Sequence, residues 1–297
     1  MVKKVLVDTD IGNDIDDSLA IAYLLREPEC RLMGITTVSG QPELRAMLAK
    51  KMCRDLGKPD VPIFPGIADP LLGNNRQPHT KQTDVLGAGE TDVFPKNAAI
   101  DFMRKTIREN PGEISLLAIG PLTNLAVLFS VDREIPGLLK ELVIMGGDFL
   151  RQNTTAEWNI LCDPEAADKV FRSGVPIRAV GFDVTKRCRF NDETLAFLRS
   201  LKAEKNKLLV RLTEIWIDHN REKGAVPTMH DPLTAETLFD DSLVTFARGK
   251  FKVMLGGENR GATVPDPDGT EIEYAADVNV PAFMARLREK LKEEGQC

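Results

Sequence analysis

The sequence predicts an α/β fold in which helices cover a mostly parallel, open sheet. Strand-like and helix-like segments alternate along most of the 297 residues. The strand-like segments are continuous apolar runs, which is typical of strands that are buried on both faces. We find no internal repeat, linker or low-complexity tract, so we expect a single domain that spans residues 1–297.

In the first part of the chain, the apolar run at 5–7 predicts a strand and the apolar spacing at 19–24 predicts a helix. Gly12 and Asn13 mark the turn between these two elements. Residues 67–95 are rich in Gly, Pro, Asn and Thr and show little periodicity, so we expect a long mobile loop. The other elements expected here are strands at 30–40, 61–66 and 114–120 and helices at 42–56 and 97–109.

In the second part, Pro121 lies early in the next predicted helix, where proline is tolerated, and Gly174 ends a later one. The pattern over 192–223 is largely helical, without a clear boundary between two helices. The other elements expected here are helices at 163–174, 230–239 and 281–294 and strands at 141–147, 177–185 and within 243–278.

The composition is that of a soluble globular protein, with 42% hydrophobic and 28% charged residues. The net charge of −6 provides no basic surface for a nucleic acid polymer, and no apolar run approaches the ~20 residues that cross a membrane. The five cysteines are odd in number and lack CxxC spacing, which indicates reduced thiols. Because the first residues also lack the apolar core of a signal peptide, we expect a cytoplasmic protein.

The most informative segment lies between the first strand and the first helix, where five aspartates crowd ten residues: Asp8, Asp10, Asp14, Asp16 and Asp17. Neighbouring carboxylates repel one another by about 1 kcal/mol per close pair even in water. One or two of them are explained as caps of the following helix, but five are not. A hard cation such as calcium, which takes roughly 6–8 oxygen ligands, would relieve the repulsion, so we expect a metal site here.

Further polar segments follow the other strand-like runs, where a parallel sheet gathers its binding site. Together with the aspartates they form DTDIGNDIDD, TTVSG, GPLTN, MGG, AEWNILCDPEAA and HDPLTA, in this order across residues 5–240. In these motifs the chain resembles the nucleoside hydrolases of the inosine–uridine-preferring type. The resemblance implies a Rossmann-like core, a calcium-dependent N-glycosidase that splits ribonucleosides into base and ribose, and a homodimer or homotetramer.

The resemblance also implies roles for individual residues. Asp10 would be both a calcium ligand and the general base that activates the attacking water. The other calcium ligands would be Asp17, Asp231 and the main-chain carbonyl of Thr123. Ribose would be held by Asp16, Gln41, Met145, Asn153, Glu157 and Asn159. Carboxylates and amide oxygens around the sugar suit this chemistry because C–N cleavage passes through an oxocarbenium-like ribose.

Three histidines are candidates for contact with the departing base. His230 precedes the expected ligand Asp231 and titrates near neutrality, which favours it as the acid for the leaving group. His79 lies in the long loop and could reach the base when that loop closes. His219 lies in a helical segment, and we expect a structural or rim position for it.

Several points stay open at the level of sequence. Two extra residues in the aspartate run leave Asp14 as an alternative to Asp16 for ribose. Gln41 stands where the family commonly has Asn, and the base preference follows no transferable code. A phosphatase of the haloacid-dehalogenase type, with Asp8 as the nucleophile, is one alternative. An enzyme for a modified riboside and a non-catalytic binding homologue are two others.

Overall fold

The computed structural model describes residues 2–87, 93–95, 98–150 and 156–292. In these residues nine strands form one sheet, in the order β3-β2-β1-β4-β5-β6-β9-β7-β8. The strands are β1 (Lys3–Thr9), β2 (Cys30–Thr37), β3 (Ile63–Pro65), β4 (Ile114–Ala118), β5 (Glu141–Met145), β6 (Ile177–Val180), β7 (Val244–Val253), β8 (Thr263–Pro265) and β9 (Thr270–Val278).

Helices alternate with these strands along the chain, as the sequence predicts. The helices are α1 (Asp16–Arg26), α2 (Pro42–Asp55), α3 (Ala98–Glu109), α4 (Thr123–Val131), α5 (Ile135–Leu138), α6 (Trp158–Cys162), α7 (Pro164–Phe171), α8 (Phe182–Thr185), α9 (Asp192–Ser200), α10 (Lys207–Asn220), α11 (His230–Glu236) and α12 (Val280–Leu291). No helix in the described ranges is both long enough and apolar enough to span a bilayer.

The predicted fold class is confirmed. The strands from β1 to β6 pair in parallel with their neighbours, and β9 joins β6 in parallel. The antiparallel pairs among the described strands are β7 with β8 and β7 with β9. The sheet is therefore mostly parallel, with an antiparallel extension at one edge.

Apolar side chains alternate between two cores, one on each face of the sheet. Val5 and Val7 of β1 join the core that contains α1 and α11, whereas Leu6 joins the core that contains α3 and α4. All three side chains are at most 1% exposed. Burial on both faces explains why this strand reads as a continuous apolar run.

The order of the strands determines where a ligand can bind. From β1 the chain proceeds outward to β2 and β3 and then crosses back to β4 on the other side of β1. The crevice at the carboxyl ends of β1 and β4 is therefore a topological switch point, which is where open α/β sheets bind their ligands. The aspartate run begins with Asp8 near the end of β1 and continues into the turn after it, and Gly120 follows β4.

One predicted element is wrong in part, because the strand expected over 177–185 ends at Val180. The chain then forms the helical turn α8. The Asp183 carboxylate accepts hydrogen bonds from the main-chain N–H groups of Phe149 and Leu150, at 2.8 and 2.6 Å. These bonds attach the turn to the end of β5 and replace the ladder that a longer strand would need.

Candidate active site

A cavity of about 500 Å³ lies over the carboxyl ends of the central strands, a size that suits a small organic ligand. It combines acidic residues at one end with aromatic and basic residues elsewhere. Its lining includes Asp10, Asn13, Asp14, Asp16, Asp17, Arg76, Gln77, His79, Lys81, Met145, Glu157, Trp158, Asn159, Phe182, Trp216, Asn220, His230 and Asp231.

Asp10 enters this cavity from the turn that follows β1, where its side chain is nearly buried. Its Oδ2 accepts a hydrogen bond of 2.5 Å from Nε2 of Gln77, a residue of the loop after β3. A Cβ added to Gly120 would lie 2.9 Å from the Asp10 main-chain N and 3.0 Å from its Oδ1. Glycine at position 120 therefore lets the two strand ends approach closely.

Asp8 belongs to the same sequence run but does not line the cavity. Its side chain is fully buried, and its Oδ1 accepts hydrogen bonds from Thr36 Oγ1 at 2.6 Å and Asn124 Nδ2 at 2.8 Å. Burial raises the pKa of Asp8 to about 7. Asp8 thus ties β1 to β2 and α4, a position that does not suit the nucleophile of a phosphatase.

Three carboxylates meet at the acidic end of the cavity. Asp16 and Asp17 begin α1, and Asp231 lies in the first turn of α11. One carboxylate oxygen from each lies within 4.8 Å of the others, which within the described residues is the one group of this kind. Asp17 Oδ1 also accepts a 2.5 Å hydrogen bond from Thr9 Oγ1, and Asp16 Oδ2 accepts one of 3.3 Å from the Asp231 N–H.

These three carboxylates are almost completely buried, and their proximity is electrostatically unfavourable. Burial, followed by the charges of neighbouring aspartates, raises the pKa of Asp16 and of Asp231 well above the ordinary value. Burial and the charge of Asp10 do the same to the pKa of Asp17. A set of oxygen donors that repel one another fits a hard cation such as calcium. Asp16, expected to bind ribose, lies in this trio, whereas Asp10 lies beside it.

Asp14, the alternative ribose ligand, also lines the cavity. Its carboxylate accepts hydrogen bonds from the Ile15 N–H at 2.7 Å and from Trp216. Burial raises the pKa of Asp14 to about 6. Both Asp14 and Asp16 therefore face the ligand space, and the choice between them stays open.

The opposite wall contains three of the residues expected to hold ribose. Glu157 caps the N-terminus of α6 by accepting hydrogen bonds from the N–H groups of Asn159 and Ile160, at 2.8 and 3.1 Å, and it also accepts one of 3.1 Å from the Gly147 N–H after β5. Burial raises the pKa of Glu157 to about 7. The Asn159 side-chain amide donates to the main-chain carbonyl of Met145 at 3.1 Å, which leaves its oxygen available to a ligand.

His230 lies at the start of α11, directly before Asp231 of the trio, and it lines the cavity. Its Nδ1 is 2.7 Å from Thr185 Oγ1, and its ring stacks on Phe182 with centroids 5.7 Å apart. Burial lowers the pKa of His230 to about 4. The imidazole is therefore neutral near pH 7, and it can donate one hydrogen bond rather than act as a cationic acid.

The other expected site residues occupy different positions. His79 lines the cavity and is exposed, whereas exposed His219 does not line it. Gln41 does not line it either, and its Oε1 accepts a 2.9 Å hydrogen bond from the Thr80 N–H. Thr123 begins α4, and its hydroxyl donates to Asp163 Oδ2 at 2.7 Å. Asn153 lies outside the described residues.

Several cavity residues carry no signal that the sequence analysis used. Gln77, Arg76 and Lys81 come from the loop after β3, and Trp216 comes from α10. Only contacts across the fold assign these side chains to the site.

Comparisons with known proteins identify the family of this chain. The model of the family described as inosine-uridine preferring nucleoside hydrolase matches residues 5–285. Uridine nucleosidase 1 of Arabidopsis thaliana is 34% identical, over 89% of this chain and 82% of the relative. The pyrimidine-specific ribonucleoside hydrolase RihA of Escherichia coli is 30% identical, over 98% of this chain and 99% of the relative.

Solved structures give the same result. A plant nucleoside hydrolase, the PpNRh1 enzyme, superposes with a TM-score of 0.86 at 28% identity and covers 99% of this chain and 100% of its own. A purine-preferring ribonucleoside hydrolase from Gardnerella vaginalis superposes with a TM-score of 0.84 at 28% identity, with 97% and 98% of the two chains covered. The chain therefore belongs to the inosine-uridine preferring nucleoside hydrolases, a family of N-glycosidases that cleave the bond between base and ribose.

Proposed function

We propose that this protein is a calcium-dependent ribonucleoside hydrolase in which Asp10 accepts a proton from the attacking water. The observation that supports this proposal most directly is the trio Asp16, Asp17 and Asp231. Its members are buried and repel one another, and the charge of Asp10 acts on each of them. A site built in this way favours a bound cation beside a carboxylate base.

Asp17 and Asp231 would hold the calcium ion together with Asp10 and the main-chain carbonyl of Thr123, and the position of Asp16 makes it a further candidate ligand. When bound, calcium orients water and makes it easier to deprotonate. Because the trio consists of carboxylates with raised pKa values, the ion would also remove the cost of placing them together.

Side chains of the protein carry out proton transfer and hold the sugar. Asp10 takes the proton as the water oxygen forms its bond to the anomeric carbon of ribose. Asp14 or Asp16, on one side, and Glu157 with Asn159, on the other, hold the sugar and stabilise the positive charge that develops on it. Met145 lies at the end of β5 beneath this group.

His230 supports departure of the base by donating a hydrogen bond in its neutral form. If the Thr185 hydroxyl donates to Nδ1, the proton of the imidazole is on Nε2. Stacking on Phe182 fixes the orientation of the imidazole ring of His230. A neutral donor stabilises negative charge on the departing base without the cost of a buried cation.

The base preference is the least determined part of the proposal, because similar proteins are named for uridine, for pyrimidines and for purines. We also propose that the whole chain forms one domain, acts in the cytoplasm, takes no macromolecular substrate, and assembles as a homodimer or homotetramer. Sedimentation analysis tests the last of these points.

The test is release of reducing sugar from inosine, uridine, adenosine, guanosine and cytidine, with calcium and after chelation. We expect ribose release with at least one nucleoside, and a loss of about 100-fold or more after chelation, because several kcal/mol of transition-state stabilisation are removed. Asp10→Asn is expected to lower kcat by about 10²- to 10⁴-fold, which is the range for loss of a general base.

Binding of calcium is measured separately by calorimetry. Retained calcium binding without release of ribose from any nucleoside would contradict the proposal and favour a modified riboside or a binding role. Activity that survives both chelation and Asp10→Asn would contradict the assigned roles of calcium and Asp10 while leaving the family intact.

A further inference from the structure

Two glutamines connect the loop after β3 to the rest of the site, and they do so in different ways. Gln41, at the start of α2, accepts a 2.9 Å hydrogen bond from the Thr80 N–H of the loop backbone. Gln77 lies within the loop, is 8% exposed, and donates to Asp10 Oδ2. One glutamine therefore holds the loop, whereas the other joins the loop to a reacting carboxylate.

The orientation of the Gln77 amide is determined on both sides. Its Oε1 faces the side-chain amide of Asn13 at 3.4 Å, so its Nε2 is the atom that meets Asp10. The main-chain N–H of Gln77 donates to Asn75 Oδ1 at 2.8 Å, which fixes the backbone from which the side chain extends. A carboxylate accepts and an amide nitrogen donates, so the pairing with Asp10 is chemically consistent.

The loop itself is anchored to the aspartate turn. The N–H groups of Lys81 and Gln82 both donate to the main-chain carbonyl of Gly12, at 3.0 and 2.9 Å. The Lys81 N–H also lies 3.1 Å from Asn13 Oδ1. These bonds fix the distance between the loop and the residues that follow β1, so Gln77 and Asp10 keep a constant relation while the loop is docked.

We propose that Gln77 is a positioning residue for Asp10, which holds Oδ2 so that Oδ1 is presented for proton transfer. This inference rests on the proposed role of Asp10 as the general base. A carboxylate free to rotate spends less time in the reactive geometry, and displacement of about 1 Å costs on the order of 100-fold in rate.

Gln77→Met tests the proposal, because methionine keeps the length of the side chain and removes the donor. We expect kcat to fall by about 10- to 100-fold, with a smaller change in KM. Gln41→Met is the matched variant, which removes a hydrogen bond to the same loop without touching Asp10. We expect it to act more on KM than on kcat. Equal losses of kcat in the two variants would overturn the proposal.

Calorimetry with calcium checks that the trio is intact. The proposal expects Gln77→Met to retain calcium binding, with a smaller change in Kd than in kcat, since the trio stays intact and Asp10, itself a proposed ligand, loses only the donor to its Oδ2. Loss of calcium binding in Gln77→Met would assign the residue to the metal site instead. If this variant fails to fold, Asn13→Ala removes the bond that orients the Gln77 amide, and the proposal expects a partial loss of kcat.

The contact between Gln77 and Asp10 can also be measured by NMR in the absence of catalysis. This measurement tests the proposal independently of the proposed function. The side-chain amide signals of Gln77 in a ¹⁵N spectrum are assigned by their absence in Gln77→Met. The proposal expects these signals to move in Asp10→Asn and to stay in place in Lys81→Met. Unmoved signals in Asp10→Asn would overturn it, even if ribose release is confirmed. Signals that move in a chain without ribose release would support the contact while the proposed function fails.

Discussion

Two sites with buried aspartates, Asp132 alone and the trio Asp16, Asp17 and Asp231, differ in how the negative charge is compensated. Asp132, which follows α4, accepts hydrogen bonds of 2.7 Å from Arg104 and Arg108. Hydrogen bonds from these arginines hold the pKa of Asp132 well below its usual range. In the trio at the cavity the pKa of each aspartate is raised instead, because the carboxylates are buried and have like charges beside them.

The difference distinguishes a structural charge from a functional one. At Asp132 the chain supplies its own cations, so the ionised form is stable in the free protein. At the trio the compensating charge has to come from outside, which makes the site unfavourable until a cation binds. Natural proteins place such destabilising groups at functional sites, where binding offsets their cost.

Arg45 is a cation of the chain itself that lies near the trio, so it is a partial exception to this contrast. Its substitution is expected to have the largest effect on stability. Burial raises the pKa of Asp10 and of Asp17, and the charge of Arg45 opposes that rise only in part. The hydrogen bonds of Arg45 go to main-chain carbonyls instead. Nε donates to the carbonyl of Ser39 at 2.8 Å, and Nη1 donates to those of Ile11, at 2.9 Å, and Asp10. Arg45 thus holds the backbone of the aspartate turn rather than its carboxylates.

Arg45→Met should therefore lower the free energy of unfolding by about 3 kcal/mol or more, since three buried carbonyls lose their donors. Denaturant unfolding of the calcium-free protein measures the change. Arg172→Met is the control, because Arg172 pairs with Asp168 at the surface and exposed pairs contribute about 0–1 kcal/mol. Equal losses in the two variants would show that Arg45 is not the anchor of the turn.

Arg45 and Gln77 also show where prediction from sequence ends. The apolar runs of β1 and β4 and the aspartates that follow β1 are local patterns, so the sheet and the acidic site could be predicted. The contacts of Arg45 and Gln77 join segments that are 35 and 67 positions apart. No periodicity or motif encodes such pairings, because they depend on how α2 and the loop pack against the strand ends.

The orientation of the side chains within a motif could not be predicted from the sequence either. Asp8 and Asp10 lie two positions apart in one run, yet one ties strands together and the other lines the cavity. Gln41 was expected to face ribose, but its oxygen accepts the Thr80 N–H. A motif identifies the residues near a site, whereas the backbone path decides which of them reach the ligand.

Asp231→Asn tests the contrast between the trio and Asp132, because its effect on the free energy of unfolding should change sign when calcium is added. Without calcium, removal of one repelling charge is expected to raise the free energy of unfolding by about 1 kcal/mol. With calcium at about 100 times its Kd, the unaltered protein gains about 2.7 kcal/mol and the variant gains much less. Thermal unfolding with and without calcium measures both effects.

The matched control is Asp132→Asn, which removes a carboxylate that is already compensated by arginines. We expect it to lower stability under both conditions and to leave the gain from calcium unchanged. If Asp231→Asn and Asp132→Asn lower calcium-free stability alike, the trio carries no repulsion and the contrast between the two groups fails.

The smallest expected effect is a pH dependence that comes from Glu157. Burial raises its pKa from the ordinary 4.5 to about 7, so the folded protein retains a proton that the unfolded chain releases. Its contribution to stability is therefore fully present below about pH 4.5 and is lost as the pH rises to about 7. Glu157→Gln cannot titrate, and its single side-chain oxygen can still accept from the N–H groups of Ile160 and Gly147, which share Oε2, whereas the Asn159 N–H loses its acceptor, Oε1. This loss is the same at every pH, so it lowers the stability of the variant without changing the slope.

Calcium-free unfolding at pH 5, 6 and 7 measures this contribution, and we expect stability to fall less steeply with pH in Glu157→Gln than in the unaltered protein. Asp132→Asn provides the opposite case, because a lowered pKa gives stability that is complete above the ordinary value of 3.8 and disappears only in acid. Its curve should run parallel to that of the unaltered protein over this range. A parallel curve for Glu157→Gln as well would mean that Glu157 is ionised in the folded protein, with the N–H groups at the start of α6 stabilising its charge more than burial opposes it.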